Sequence, residues 1–412
     1  MSSTMLEKDM RPIIVISLIT AVCLIGDSML YIALPTHWKE VGLFSLWEVG
    51  ILLSVNRLAR LPLNPMIGWL YKKISTRNGI IFASILSFFT TVSYGFLSDF
   101  WPLFITRCIW GLAWTFLRLG AYFAIIDYSK ECNRGYCMGT YNGLYRLGSL
   151  VGMLLGGFLA DHYGLRITAL LFGIMTFLSI PLSFLYIPNS VVNKSNKELQ
   201  TVPETSIFKN TDVIGVLVTG MLITMIYQGM FTATLSYLVE VHNSALITLF
   251  GFTIGAASLA GIIQAIRWSW EPWLAPWFGK KTDGRYGRKP TLAISLLIAS
   301  VLFALIPLEM PLLYWLALLI GIQITATVLT TVIDAIASDI AVVSSSKIGI
   351  MTAYSLAIDL GAALGPVLGY LMNMYLGVYA AYWGAGLILV LIGIKFSSYK
   401  IPPNNLLKKM TV

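Results

Sequence analysis

Apolar residues fill long blocks along almost the whole chain, with short polar breaks between them. An α-helix needs roughly 20 apolar residues to cross the hydrocarbon core of a bilayer. Runs and breakers predict twelve such helices, at approximately 12–36, 47–71, 78–97, 101–127, 137–161, 166–187, 212–238, 246–277, 290–308, 311–338, 347–374 and 378–397. The longest polar stretch, Asn189 to Asn210, carries Lys194, Lys197, Glu198, Glu204 and Lys209. It divides the chain into an N-terminal six-helix bundle (1–188), a linker (189–211) and a C-terminal six-helix bundle with a short tail (212–412). The expected fold class is an all-α integral membrane protein of twelve helices in two pseudo-symmetric bundles.

The halves repeat each other. LYRLGSLVGMLLGGFLAD (144–161) lies on AIDLGAALGPVLGYLMNM (357–374), placing Gly148, Gly152 and Gly156 on Gly361, Gly365 and Gly369. Glycines four apart share one helix face and let another helix approach to backbone contact. The same overlay sets Arg146 on Asp359. Pro65 to Gly68 overlays Pro276 to Gly279, and a basic loop follows each. Parallel six-helix repeats with a site near the midplane are a transporter plan.

Composition agrees. Of 412 residues 57% are hydrophobic and 11% charged, against about 25% charged in a soluble domain. The first apolar run, Ile13 to Leu34, is too long for a signal peptide's apolar core and lacks a small-residue cleavage site, so it reads as a retained helix. The net charge of +9 would hint at nucleic acid on a soluble protein. Here, with both termini cytoplasmic, the basic residues gather in the inner segments and only Lys39 and Arg166 fall in outer loops. That asymmetry is a topology signal, expected of a multi-pass protein of an inner or plasma membrane, with no nucleic-acid partner. Four cysteines form no CxxC and no His joins them, so neither metal nor cofactor is expected. Nothing reads GxxxxGK[ST], which excludes a P-loop ATP motor.

Several short motifs carry a resemblance. Gly279-Lys-Lys-Thr-Asp283-Gly-Arg285-Tyr-Gly287-Arg288-Lys289 is similar to the G-x-x-x-D-R-x-G-R-K/R loop of the major facilitator superfamily, with Gly284 inserted. In the first half Lys72 stands where the acid belongs. Arg107-x-x-x-Gly111 resembles the superfamily's R-x-x-x-G motif. Asp27 followed by Ala33-Leu34-Pro35 resembles the first-helix motif of its drug:proton antiporters. Gly361-x-x-x-Gly365-Pro366-x-x-Gly369 resembles an antiporter motif carried there in helix five; here the proline form is in helix eleven, and helix five has Met153. The resemblance implies alternating access by two rocking bundles, a conformational role for the 279–288 loop and a part for Arg107 in proton coupling.

Ten ionisable residues fall at depth: Arg57, Arg60, Arg107, Arg118, Arg146, Arg267, Asp27, Glu271, Asp334 and Asp359. Each costs about 2.5–3.5 kcal/mol on insertion scales, so they must line a polar cavity or pair with one another. Arg57 and Arg60 share a helix face and need either acids from another helix or an anionic ligand. Carboxylates can carry a proton because burial raises their pKa, whereas Arg cannot. Asp27 is thus the first proton-carrier candidate, with Asp334 as another, and Arg57, Arg60 and Arg118 are candidates for the anionic part of a solute. A fixed ion pair is the other reading of Asp27. Arg146 and Asp359 are expected to pair across the bundles, and Arg267 with Glu271 one turn along a helix. Trp110, Trp114, Tyr227 and Gln228 are candidate cavity residues, and Trp268 or Trp273 could stack on an aromatic solute instead of sitting at the membrane interface. His37, His162 and His242 fall at outer loops, away from any deep proton relay.

The expectation is a monomeric secondary transporter, not an enzyme. It would use protons to drive efflux of a small organic solute, anionic or zwitterionic and siderophore- or drug-like. An uptake symporter for an organic anion and a non-transporting sensor on the same scaffold are the alternatives.

Overall fold

The computed structural model describes residues 3–71, 73–128, 134–187, 211–243, 246–249, 252–283, 287–343 and 347–397. The linker expected at 189–211, all but its last residue, lies outside them, as do Arg285 and the tail beyond 397. The first four helices are α1 (Ser3–His37), α2 (Leu46–Leu70), α3 (Thr76–Phe96) and α4 (Phe100–Tyr128). A helical stretch, Arg134–Phe177, turns at Gly164, whose φ of +80° is left-handed backbone open to glycine. This makes two helices, α5 (134–163) and α6, which runs on through Ser179–Tyr186. α7 spans 211–243 as Thr211–Thr224, a π-helical turn at Met225–Phe231, and Thr232–Asn243. The chain ends with α8 (Ala256–Asp283), α9 (Arg288–Leu305), α10 (Leu312–Val343), α11 (Lys347–Leu376) and α12 (Val378–Ser397).

The expected twelve helices are present. Nine described stretches are long and apolar enough to cross a membrane, and Thr140–Tyr186 contains both α5 and α6. The two helices outside that set, α2 and α8, carry Arg57 and Arg60 or Arg267 and Glu271 in mid-helix. One expectation fails locally. Residues from 246 do not begin α8 but form a hairpin, β1 (Leu246–Leu249) antiparallel to β2 (Phe252–Gly255). Its Ile and Thr residues suit a strand. The helix instead starts where Asp161 of α5 can cap it, accepting the Ser258 backbone N–H and the Ser258 hydroxyl, both at 2.6 Å.

The glycine ladders are packing surfaces. A Cβ at Gly148 would lie 2.0 Å from the Ala21 carbonyl oxygen, one at Gly152 2.4 Å from that of Ile25, and one at Gly156 2.8 Å from Met29 Cγ. The second ladder repeats this on α7: Gly361, Gly365 and Gly369 meet the Met221 and Met225 carbonyl oxygens at 2.1 and 2.2 Å and Met230 Cγ at 2.7 Å. The partner residues are four apart on α1, but the last step on α7 is five. The π-helical turn absorbs that extra residue.

Between bundles, α5 packs on α8, α2 on α11 and α1 on the last part of α7. The close approaches lie in the half of the molecule away from the chain's N-terminus. A Cβ at Gly157 would stand 2.3 Å from the Ala257 carbonyl oxygen, one at Gly261 2.4 Å from that of Met153, and one at Gly50 2.9 Å from that of Pro366. Shut at that end, the bundles diverge toward the other.

Candidate functional site

A cavity of about 570 Å³ occupies the gap between the bundles. Its wall reaches Tyr122, Asn142, Ser338 and Met351, about one to two helical turns from the helix ends on the N-terminal side.

On the first-bundle side, α2 presents Arg57 and Arg60 to the cavity. Arg57 Nε donates to the Tyr31 hydroxyl at 3.2 Å, and Tyr31 donates to the Leu53 carbonyl at 3.0 Å. Arg60 Nε donates to the Asn56 carbonyl at 3.1 Å, and its guanidinium stands 5.8 Å from the Trp114 ring centroid. Neither arginine has a carboxylate partner among the described residues. Trp110 and Trp114 line the same wall, and Trp114 Nε1 is buried without a hydrogen-bond partner.

Asp27 also borders the cavity, but its carboxylate is committed. Oδ1 forms an ion pair with Arg107 and accepts from Asn56 Nδ2 at 3.2 Å. Arg107 is 1% exposed, lies behind the cavity wall and also donates through Nε to the Leu52 carbonyl at 2.8 Å. Asp27 is thus ion-paired in this structure, and the Arg107 guanidinium also stands 5.8 Å from the ring of Tyr31, which lines the cavity.

The second-bundle wall carries three acids, Glu271, Asp334 and Asp359, and one base, Arg267. Asp334 Oδ1 accepts from the Tyr354 hydroxyl at 2.6 Å, and no cation pairs with it among the described residues. Glu271 keeps one carboxylate oxygen, Oε2, without a partner. Gln228 and Trp268 line the wall, and Trp268 Nε1 is likewise unpartnered. Two ion pairs cross between bundles: Arg146 of α5 to Glu271 of α8 at 2.8 Å, and Arg118 of α4 to Asp359 of α11 at 3.4 Å. Arg118 is further held by the Tyr122 hydroxyl at 3.0 Å.

Three expected contacts are corrected. Arg146 and Asp359 do not pair, because each finds a nearer opposite charge on another helix. Glu271 does not pair with Arg267 one turn away: Arg146 takes its Oε1, and its Oε2 is left without a partner. Tyr227 is not at the cavity: it is fully buried, its hydroxyl 2.8 Å from Thr325 Oγ1 and its ring against Phe303. The neighbouring Gln228 faces the cavity in its place. Tyr31, Asn142, Tyr145 and Tyr354 are among the wall residues that the sequence did not assign to the cavity, and Glu271 was assigned there only as one of the deep charges. An aligned opposite charge at Arg60 could have marked Glu271, but a lone tyrosine gives no signal.

The 279–288 loop is described in part. Gly279 lies in α8, Asp283 ends it, and Gly287 leads into α9 with φ +69°. Arg288 pairs with Asp339 and donates to the Ala335 carbonyl at 2.8 Å, tying the start of α9 to the end of α10.

The comparisons agree with this architecture. "Multidrug resistance protein MdtG" of Proteus mirabilis (strain HI4320) is 28% identical over 302 residues, 70% of this chain and 71% of the relative. The protein of that name from Salmonella choleraesuis (strain SC-B67) is 26% identical over 282 residues, 67% of each. A bacterial homolog of the human lysosomal transporter Spinster, in an inward-facing and unoccupied conformation, superposes with a TM-score of 0.74 at 14% identity, covering 93% of this chain and 95% of that one. The nucleoside transporter NupG gives 0.74 at 15% identity, covering 95% and 100%. Matched to the family over residues 16–282 and 272–409, the chain belongs to the Major Facilitator Superfamily.

Proposed function

We propose that this transporter exports a small organic solute bearing an anionic group, in exchange for protons, across an inner membrane. Both termini are assigned to the cytoplasm by the charge asymmetry of the loops, and the chain works as a monomer. The cavity then opens inward, ready to take up cytoplasmic solute.

The observation that carries this reading is the pair Arg57 and Arg60, facing the cavity with no carboxylate partner among the described residues. Guanidiniums suit the planar fork of a carboxylate or phosphate. Trp114 and Trp110 offer an aromatic surface beside them, and the acids of the wall opposite accommodate a cationic group of a zwitterion. The multidrug-resistance names of the relatives support efflux.

Asp334 is the proton site this arrangement favours. Proton uptake at Asp27 must first break the pair with Arg107, whereas Asp334 has only the Tyr354 hydroxyl to give up. A thermal-shift screen with benzoate, phenylphosphonate, benzyl alcohol and benzylamine identifies the charge preference of the purified protein. Counterflow in proteoliposomes under an imposed pH gradient then gives the direction. Arg57→Gln should weaken benzoate and phenylphosphonate binding and spare benzyl alcohol. Equal loss for all of them refutes the anion role, and solute moving with the proton gradient refutes antiport.

A further inference from the structure

Two independent overlays relate the halves. The glycine ladders put Arg146 on Asp359, and the Pro65–Gly68 and Pro276–Gly279 segments put Arg60 on Glu271. The packing supports both registers together. The approach of Gly50 to the Pro366 carbonyl is matched by that of Gly261 to the Met153 carbonyl. Gly50 corresponds to Gly261 by the second overlay, and Met153 to Pro366 by the first.

The same symmetry carries the Arg146–Glu271 ion pair onto Asp359 and Arg60 with the charges exchanged. One member is formed in this structure and the other is not. Asp359 pairs with Arg118 at 3.4 Å, long for an ion-paired hydrogen bond. Asp359 and Arg60 nevertheless line the same cavity, on two helices, α11 and α2, that pack against each other. Arg60 is left with a backbone carbonyl and an aromatic face.

We infer that Asp359 is the built-in counter-ion of Arg60, and that a solute's anionic group binds by taking its place while Arg118 holds Asp359 aside. The inference rests on the anion reading of the cavity. Arg118 then serves as a positioning residue that keeps the seat at Arg60 open. A ligand's apparent affinity falls by the fraction of protein in which its seat is filled.

Titrations of the purified full-length protein with benzoate separate these roles. Asp359→Asn should tighten benzoate binding by about three- to tenfold. Arg118→Gln should weaken it several-fold, because the released Asp359 moves onto Arg60. In the Asp359→Asn background Arg118→Gln should have no effect. The proposal is overturned if Asp359→Asn weakens or leaves unchanged the binding of benzoate, or if Arg118→Gln weakens it equally in both backgrounds.

A ligand-free arm stands apart from the anion reading. In Arg118→Gln protein, a double-mutant cycle of Arg60→Gln and Asp359→Asn on thermal unfolding should show favourable coupling. If nothing binds but the coupling is present, the anion reading fails and the pairing survives. Absence of coupling removes the pairing.

Discussion

Gly148 offers the sharpest test of the packing that frames the cavity. Replacing it with Ala adds one methyl group, and its Cβ would lie 2.0 Å from the Ala21 carbonyl oxygen and 2.7 Å from the Ala21 carbonyl carbon and Cα. Ordinary contact begins at 3.4 Å, so α1 and α5 must separate by about 1.4 Å. The atoms in the way are backbone, so no rotamer change relieves the clash. Overpacking of this kind costs about 1–3 kcal/mol. Gly143, on the same helix, is the control, because nothing lies within 4 Å of its Cβ position. There Ala should be neutral or stabilise by up to about 1 kcal/mol through helix propensity alone. Thermal unfolding in detergent compares the two, and Gly361→Ala against Met221 should behave as Gly148→Ala does. If Gly148→Ala melts no lower than Gly143→Ala, the ladder is not a close-contact surface and the account of α1 against α5 is wrong.

Three further outcomes follow from the geometry. Asp27→Asn leaves Arg107 buried beside a neutral amide and should destabilise by about 3–5 kcal/mol, while Asp27→Leu with Arg107→Leu should recover much of that loss in the same unfolding assay; a double variant as unstable as the single one contradicts the pairing. Tyr227→Phe should cost about 1 kcal/mol through the lost bond to Thr325 and leave solute binding unchanged, whereas Gln228→Ala should alter binding with little effect on melting. Asp161→Ala removes the cap on α8 at the shut end and should cost about 1 kcal/mol, with faster hydrogen exchange at Ser258 as its local signature.

The sequence made the fold legible because membrane-crossing helices announce themselves by length and apolarity, and because the two halves repeat. The failure at 246–255 has a local cause. Leu, Ile, Thr and Phe are equally at home in a membrane helix and in a short hairpin, and periodicity cannot separate the two over so few residues. The π-helical turn was invisible for a related reason. Its necessity appears only when the ladder of α11 is laid against α7 and a five-residue step has to be taken up between Met225 and Met230. That same turn bears on the exchange of Tyr227 for Gln228 at the cavity, since one extra residue changes which side chain faces inward.

The charges show where such reading stops. Which residues are ionisable at depth was plain, and that they face a shared gap or one another follows from their cost in hydrocarbon. Which of them pair across the bundles is decided by how one bundle is set against the other, and that is a property of the assembled molecule. Arg146 sits opposite Glu271 because α5 and α8 touch just beyond them, at Met153 and Gly261. Arg60 and Asp359 occupy the matching positions below the contact of Gly50 with Pro366, yet Arg118, contributed by a third helix, draws Asp359 away. Near-symmetry of the fold with one ion pair withheld leaves a cationic seat that the protein's own carboxylate does not fill. A carrier needs such a seat: a site satisfied internally in every conformation would have no differential affinity to offer a solute, and without differential affinity a ligand shifts no equilibrium.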